Sequence, residues 1–262
     1  MSNKAIVFIV LVYGNYSDLE RFNSSIPFQS NDFKVIVVDS FKDMKSTEEG
    51  EKIAHKIGAD FIKVPNKGYG AGNNAGINYS QQFQYDYLFI SNPDIEINNL
   101  SLNEIGDDEI VGPKVVTDSG KNQNPYYYKK EKIGFRLLKR YAYYDRSLWY
   151  YTYLISNKIS KKVQSLYSKR KQGKLPVYAL HGSFYGMKKE TLHKLMPVFD
   201  ERMFLYSEED HIAELAKSKD VTMMYNTNWS VYHHEDGSGT VKNKAKNKLI
   251  RESLKVFFEN WD

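Results

Sequence analysis

The chain contains no cysteine. It therefore has no disulfide framework, no thiolate metal site and no thiol nucleophile, and a cytoplasmic setting is compatible with that. Long apolar runs are missing as well. The earliest, Ala5 to Tyr13, is short for a membrane span, and Gly14-Asn15 follow it without a small-x-small cleavage pattern, so it reads as a first strand. Acids are scarce in one place: from Glu131 to Lys174 there are 12 Lys/Arg against 2 acids, a local +10 within a net charge of +5, which leaves −5 for the remainder. The positive charge is thus a property of one segment, and it points to phosphates of nucleic acid or lipid.

What is present is ample core material. The 262 residues are 41% hydrophobic and 15% aromatic, enough to bury one substantial core; length alone allows one domain or two small ones. Ala5 to Val12 and Phe33 to Asp39 read as buried strands, the second ending in an acid. A helix opens at Ser17-Asp18. Another is capped by Ser46 or Thr47, with Glu48 and Glu49 in its first turn, Ile53 and Ile57 on one face and a stop at Gly58. Phe61 to Val64 is a third strand. This alternation predicts right-handed βαβ units and a parallel sheet.

Tyr87 to Glu96 organises the rest. An apolar run stops at Asn92-Pro93-Asp94, as a buried strand would that delivers a carboxylate to its C-terminal edge. Ligands bind at that edge of open α/β sheets. Asp94 and Glu96 are therefore candidates for a hard divalent cation, against the alternative of an Asx-Pro-Asp turn without chemistry. Upstream, Asn66 to Gly76 places four glycines at a strand-to-helix turn, with a helix from about Ala71 to Phe83. Such a turn either cradles a phosphate or nucleotide at a helix N-terminus or only connects tightly.

Further strands are expected at Glu109 to Val116, Val177 to Met187, Val221 to Tyr225 and Trp229 to Tyr232, with a polar loop from Asp118 to Asn124. The basic segment interleaves cations with Phe135, Tyr141, Trp149, Tyr153 and other apolar residues. That suits a helix at a bilayer surface, stacking on single-stranded bases, or a solvated insertion packed on the main body. His181-Gly182-Ser183 interrupts an apolar run and marks a bound group, unless His181 is simply structural. Ser207 and Asp210 form the pattern of a capping box over Glu208-Glu209-Asp210. Three consecutive acids exceed what capping needs, and a helix start holds a general base rigidly. His233-His234 beside Glu235-Asp236 suggest metal or diphosphate ligands, or a polar loop. A helix from Thr240 closes the chain.

In order and spacing these pieces resemble the inverting GT-A glycosyltransferases of family two, particularly the bacterial rhamnosyltransferase-like branch that builds capsule, O-antigen and cell-wall polysaccharides. The likeness covers all but about 125 to 175. It implies an α/β fold, a single GT-A domain over 1 to 262 with a Rossmann-like, mostly parallel central sheet flanked by helices. Within it, 1 to 124 form the nucleotide-binding half, 125 to 175 a basic aromatic helical insertion, and 176 to 262 the acceptor and catalytic half with the last helix.

By the same resemblance Asn66, Gly68, Tyr69, Gly70, Gly72, Asn73, Asn74 and Gly76 stand on a nucleotide-site motif. Val12, Tyr13 and Asp39 would meet the base. Asn92-Pro93-Asp94 replaces Asp-x-Asp, with Asp94 a ligand of Mg2+ or Mn2+, joined by His233 or His234, and Ser238 matches a late donor-binding serine. His181, Gly182 and Ser183 would face donor and acceptor. Phe199 through His211 carries the catalytic-base pattern with departures: the base position is Glu209 rather than Asp, a later Asp is His211, and a one-residue slide makes Asp210 the base beside Glu208. The implied partners are a UDP- or dTDP-sugar and a glycan, lipid-linked acceptor, with an anionic membrane surface for 131 to 174 and a cytoplasmic, peripheral location. The rivals are a sugar-phosphate nucleotidyltransferase using Lys67 and a nucleic-acid-binding module; the second leaves the acidic strand ends unexplained.

Overall fold

The computed structural model describes residues 6–144, 146–168, 172–234 and 243–261. Strands β1 (Ile6–Val12), β2 (Phe33–Ser40), β3 (Asp60–Val64) and β4 (Tyr87–Ser91) pair in parallel, in the order β3-β2-β1-β4. Helices α1 (Leu19–Ser25), α2 (Met44–Lys56) and α3 (Tyr69–Ser80) make the crossovers. The sheet continues through β8 (Phe184–Lys188), β6 (Glu109–Thr117), β9 (Thr222–His233) and β5 (Ile95–Asn99), while β7 (Lys174–Pro176) pairs with β9. β1, β2, β3, β4, β6 and β9 run one way and β5, β7 and β8 oppose them.

Side-chain alternation explains the layers. In β1, Ile6, Phe8, Val10 and Val12 enter the core beneath α1 and α2, whereas Val7 and Ile9 enter the core on the other face, beneath α3, α6 (Lys189–Leu195) and α7 (Glu208–Ser218). Phe89 is fully buried and stacks between Phe8 and Phe184, at 5.2 and 5.4 Å between ring centroids. A third cluster joins α4 (Lys132–Tyr144) and α5 (Ser147–Ser168) to α8 (Asn243–Asn260) through Phe135, Leu138, Tyr153, Leu254 and Phe257. The basic segment is thus a helical hairpin whose inner aromatics pack on the last helix.

Four local expectations are corrected. Asp43, not Ser46 or Thr47, caps α2 and accepts from the Ser46 N–H, which moves the start forward and removes Glu48 and Glu49 from the first turn. Ser207 forms no capping box: it and Tyr206 take positive φ values of 70° and 78°. The two last strands are one, β9, which absorbs Thr227 to Trp229 as an irregularity between Pro113 and Lys114 of β6. Glu96, a candidate cation ligand beside Asp94, lies within strand β5.

The consequence for function lies at one sheet edge. β1, β2, β4, β6 and β9 all end there, and antiparallel β8 begins there, with Phe184 paired to Ser91. Val12, Asp39, Asn92 to Asp94, His181 to Ser183 and His233 therefore gather at that edge, although they are far apart in sequence.

Candidate active site

Two clusters meet residues 181–183. In one, the chain leaves β4 and the Asn92 N–H donates to the Ser183 carbonyl at 2.8 Å, fixing the Asn-Pro-Asp corner to the start of β8. Asp94 is buried, and its Oδ1 has no hydrogen-bond partner. It faces His233 Nε2 at 3.3 Å. The other ring nitrogen, Nδ1, meets Gln123 Oε1 at 2.7 Å, a carbonyl that can only accept, so Nδ1 donates there and the ring presents Nε2 to the carboxylate.

An orphaned carboxylate oxygen and an imidazole nitrogen that close suit a cation between them. Two ligands at about 2.1 Å on adjacent octahedral positions stand about 3 Å apart. Among the described residues no cluster of three or more His, Asp or Glu side chains is placed to hold a metal. Asp94 and His233 would supply two ligands, and substrate oxygens or water would complete the shell, as is usual for Mg2+.

His181 forms the bridge. Its N–H donates to Asn124 Oδ1 at 2.8 Å, its Nδ1 meets Ser183 Oγ at 2.9 Å, and its ring lies 5.9 Å from that of His233. Burial first, then the neighbouring His233, Lys161 and Lys121, pull its pKa down to about 3, so the imidazole is neutral at physiological pH.

In the other cluster, the left-handed pair Tyr206-Ser207 swings the chain into α7 and sets three acids in its first turn. A non-glycine residue in this region costs about 1–3 kcal/mol, a strain that recurs at functional sites. The loop is held by the Tyr69 N–H, which donates to the Phe204 carbonyl at 2.9 Å. Glu209 is partly exposed and lies against Gly182: a Cβ added there would stand 3.2 Å from Glu209 Oε1. Desolvation raises the Glu209 pKa, while its own N–H, the Gly182 N–H and Lys161 oppose the rise. Glu208 and Asp210 are buried, each with a carboxylate oxygen lacking a partner, and desolvation and then Glu209 push both up to about 8. Only the middle acid of the three therefore combines solvent access with hydrogen bonds to its ionised form.

Tyrosines wall this cluster. The Tyr69 hydroxyl donates to the Gly182 carbonyl at 2.8 Å, and burial, then Glu209, hold the Tyr69 and Tyr126 hydroxyls in their protonated forms. From the insertion, Lys161 of α5 sits 4.5 Å over the Tyr126 ring and 4.6 Å over that of Tyr127. Burial lowers its pKa, offset in part by Asp210. Sequence reasoning missed Lys161, one cation among twelve in its segment, and also missed Gln123 and Asn124, which orient the two histidines.

Other expected residues are placed differently. Gly70, Gly72 and Gly76 face Phe199, Leu11 and the pair Ile9 and Val38, where a Cβ would come within 2.8, 2.4 and 2.6 Å. They let α3 lie close on the sheet and do not open a phosphate cradle. Asn74 bonds the Phe199 backbone through both ends of its amide and also reaches Glu201, pinning the loop that leads to α7. Asn73 donates to the Tyr69 carbonyl and keeps a buried oxygen without a partner. Exposed Asn66 accepts from the Gly68 N–H. Asp39 is fully buried and accepts from Tyr16 and Thr47, so a nucleotide base would have to displace one of those hydroxyls. Val12 is buried; Tyr13, beside it at the edge, is 55% exposed, with Lys42 Nζ 6.0 Å from its ring centre.

His234 is turned away. It pairs with Glu96 at 2.9 Å and Asp118 at 3.3 Å, which removes both His234 and Glu96 from the Asp94 site. His211 accepts from Trp261 Nε1 at 2.9 Å and stays outside the cluster. Ser238 lies outside the described residues. A cavity of about 480 Å³ between α3 and α7, lined by Asn74, Phe199 and Leu215, is separate: none of Asp94, His233 or Glu209 lines it.

No protein-family model and no curated protein sequence matches the chain. Solved structures do. The crystal structure of GalNAc-T7 with UDP, GalNAc and Mn2+ superposes with a TM-score of 0.60 at 13% identity, over 93% of this chain and 47% of that one. The crystal structure of S. aureus TarS does so with a TM-score of 0.54 at 14% identity, over 97% of this chain and 43% of that one. The chain spans less than half the length of either. At such identity the likeness establishes the fold, which is the GT-A glycosyltransferase fold with its central, mostly parallel sheet flanked by helices.

Proposed function

We propose that the chain transfers a sugar from a nucleoside diphosphate to an acceptor hydroxyl, with inversion at the anomeric carbon. The observation that carries this is convergence: Asp94 with His233, and Glu209, both gather on the segment His181-Gly182-Ser183. An electrophile held between them would have its leaving group at the Asp94 end and its incoming hydroxyl at the Glu209 end. That is the alignment of a single in-line displacement, whose outcome is inversion. A neighbour of the same fold crystallised with UDP, GalNAc and Mn2+ supports the donor class and the metal.

In this reading Glu209 takes the proton from the acceptor hydroxyl. Desolvation makes it a stronger base than a solvated carboxylate, and the N–H groups of Gly182 and Glu209 keep it ionised for the task. A positioned base of this kind contributes typically about 10²–10⁴-fold. Neutral His181 can exchange hydrogen bonds with sugar hydroxyls without adding charge near the diphosphate. Asp94 and His233 would hold Mg2+ or Mn2+, which when bound offsets charge on the departing diphosphate. The sequence resemblance further suggests a UDP- or dTDP-sugar, a rhamnosyl or hexosyl group, and a lipid-linked glycan acceptor of a bacterial surface polysaccharide.

The nucleotidyltransferase alternative finds no support here. Lys67 is exposed, Gly68 beside it abuts the Phe204 backbone, and Gly70, Gly72 and Gly76 face core side chains. Thermal shift with nucleoside diphosphates and their sugars, with and without Mn2+, tests the proposal: stabilisation that requires Mn2+ is expected, and no response to any nucleotide would overturn it.

A further inference from the structure

Helix α5 has two unlike faces. Inward it carries Tyr150, buried Tyr153 and Lys161, which pack on α4 and on Tyr127 and Tyr126. Outward it carries Leu148, Tyr151, Ile155, Ile159 and Val163, a stripe at three- and four-residue spacing whose members are 66, 62, 64, 61 and 47% exposed. Exposed apolar side chains scattered singly need no explanation, but five in one row do. We propose that this outer face of α5 docks on an anionic phospholipid bilayer, lying in the headgroup layer with its axis along the surface.

Charge selects that occupant. Lys158 and Lys162 are exposed on α5, Arg146 just before it, and Lys132, Arg136 and Arg140 on α4, while α5 has no acidic residue from Ser147 to Ser168. An apolar row bordered by cations matches acyl chains beneath anionic headgroups, because lysine and arginine stems lie along the apolar layer and place their charges among the phosphates. A second copy of this chain is disfavoured, since joining two such faces would appose two basic helical hairpins. Crossing the bilayer is not the mode: among the described residues no helix is long and apolar enough to span it.

The docking stands independently of the catalytic reading. If that reading also holds, only the thickness of one helix, about 10 Å, separates the lipid surface from Lys161 and the acids beyond it, so a lipid-anchored acceptor would reach the site without leaving the membrane.

The test is flotation of the full chain with phosphatidylcholine vesicles, with and without phosphatidylglycerol. Wild type is expected to float only with phosphatidylglycerol and to lose binding as salt is raised. The pairs Ile155→Ser with Ile159→Ser, and Lys158→Glu with Lys162→Glu, should each lower the bound fraction at least tenfold. Circular dichroism and Mn2+-dependent nucleotide binding should stay unchanged, because none of the four residues touches the site. No flotation of wild type, or flotation of both variants as complete as that of wild type, overturns the proposal. So does a wild-type dimer that the Ile155→Ser, Ile159→Ser variant dissolves, which would make the face a self-interface. Failure of wild type to bind any nucleotide would instead sink the transferase reading and leave the docking intact.

Discussion

His233 turns Nε2 toward Asp94 Oδ1 at 3.3 Å, and that buried oxygen has no hydrogen-bond donor. Gln123 fixes the ring from behind, and in the proposed function Asp94 and His233 are the protein's share of the cation's ligands. Asp94→Asn keeps the shape and removes the charge. Calorimetric titration with a nucleoside diphosphate should show at least a tenfold loss of affinity in Mn2+, about 1.4 kcal/mol, and no loss in EDTA. His234→Ala serves as the control: its partners Glu96 and Asp118 are partly exposed, such pairs contribute about 0–1 kcal/mol, and Mn2+-dependent binding should not change.

Glu209 differs from its two neighbours by facing solvent while accepting N–H groups. Glu209→Gln should leave nucleotide affinity within about twofold and lower transfer by about 10²–10⁴ in a sugar-transfer assay. The raised Glu209 pKa also sets a direction: as pH falls, transfer should be lost at a higher pH than an ordinary carboxylate base would give. If Glu209→Gln retains most activity and Asp210→Asn abolishes it, the base is Asp210.

Glu208 and Asp210 make stability depend on pH. Their folded-state pKa values near 8 lie above those of the unfolded chain, so between about pH 4.5 and 8 the native state binds more protons than the unfolded one. Stability contributed by these groups is present in full at low pH and declines as pH rises through that window. Each can contribute at most about 1.4 kcal/mol per pH unit while it titrates, and less when coupled to Glu209. The melting temperature of wild type should therefore fall from pH 5 to pH 8, and Glu208→Gln should flatten that fall.

How far the sequence carried this reading depended on whether a signal was local. The alternation in β1 and the abrupt stop of β4 at Asn92-Pro93 are properties of a few adjacent residues, and both elements stand where periodicity places them. The gathering of Asp94 and His233 was legible because parallel strands deliver their ends to one edge; His181 reaches it because antiparallel β8 begins there. What could not be read was the use to which a residue type is put. Asp39 at a strand end has the same letter whether it meets a ligand or, as here, Tyr16 and Thr47. Lys161 is indistinguishable from other lysines until α5 folds back and buries it over Tyr126. The glycines were correctly seen as sites of close approach, but what approaches Gly70, Gly72 and Gly76 is the core.

Gly68 is the exception among them, and a substitution there separates backbone strain from packing. Its φ of 107° with ψ of 176° is a conformation that side chains rarely adopt, and an added Cβ would fall 2.2 Å from the Phe204 carbonyl oxygen, which is backbone and cannot rotate aside. Gly72→Ala meets only the tip of Leu11, which can turn, and gains the helix preference of alanine in return. Gly68→Ala should therefore cost about 2–4 kcal/mol, a drop of roughly 5–15 °C in melting temperature, whereas Gly72→Ala should stay within about 1 kcal/mol of wild type. Because Phe204 leads directly into the left-handed pair Tyr206-Ser207, a shift of that carbonyl also moves Glu209 away from Gly182. Gly68→Ala should accordingly reduce turnover at temperatures where the protein is still fully folded. Unchanged turnover in a destabilised Gly68→Ala protein would mean that the loop holding the base is positioned by α7 alone.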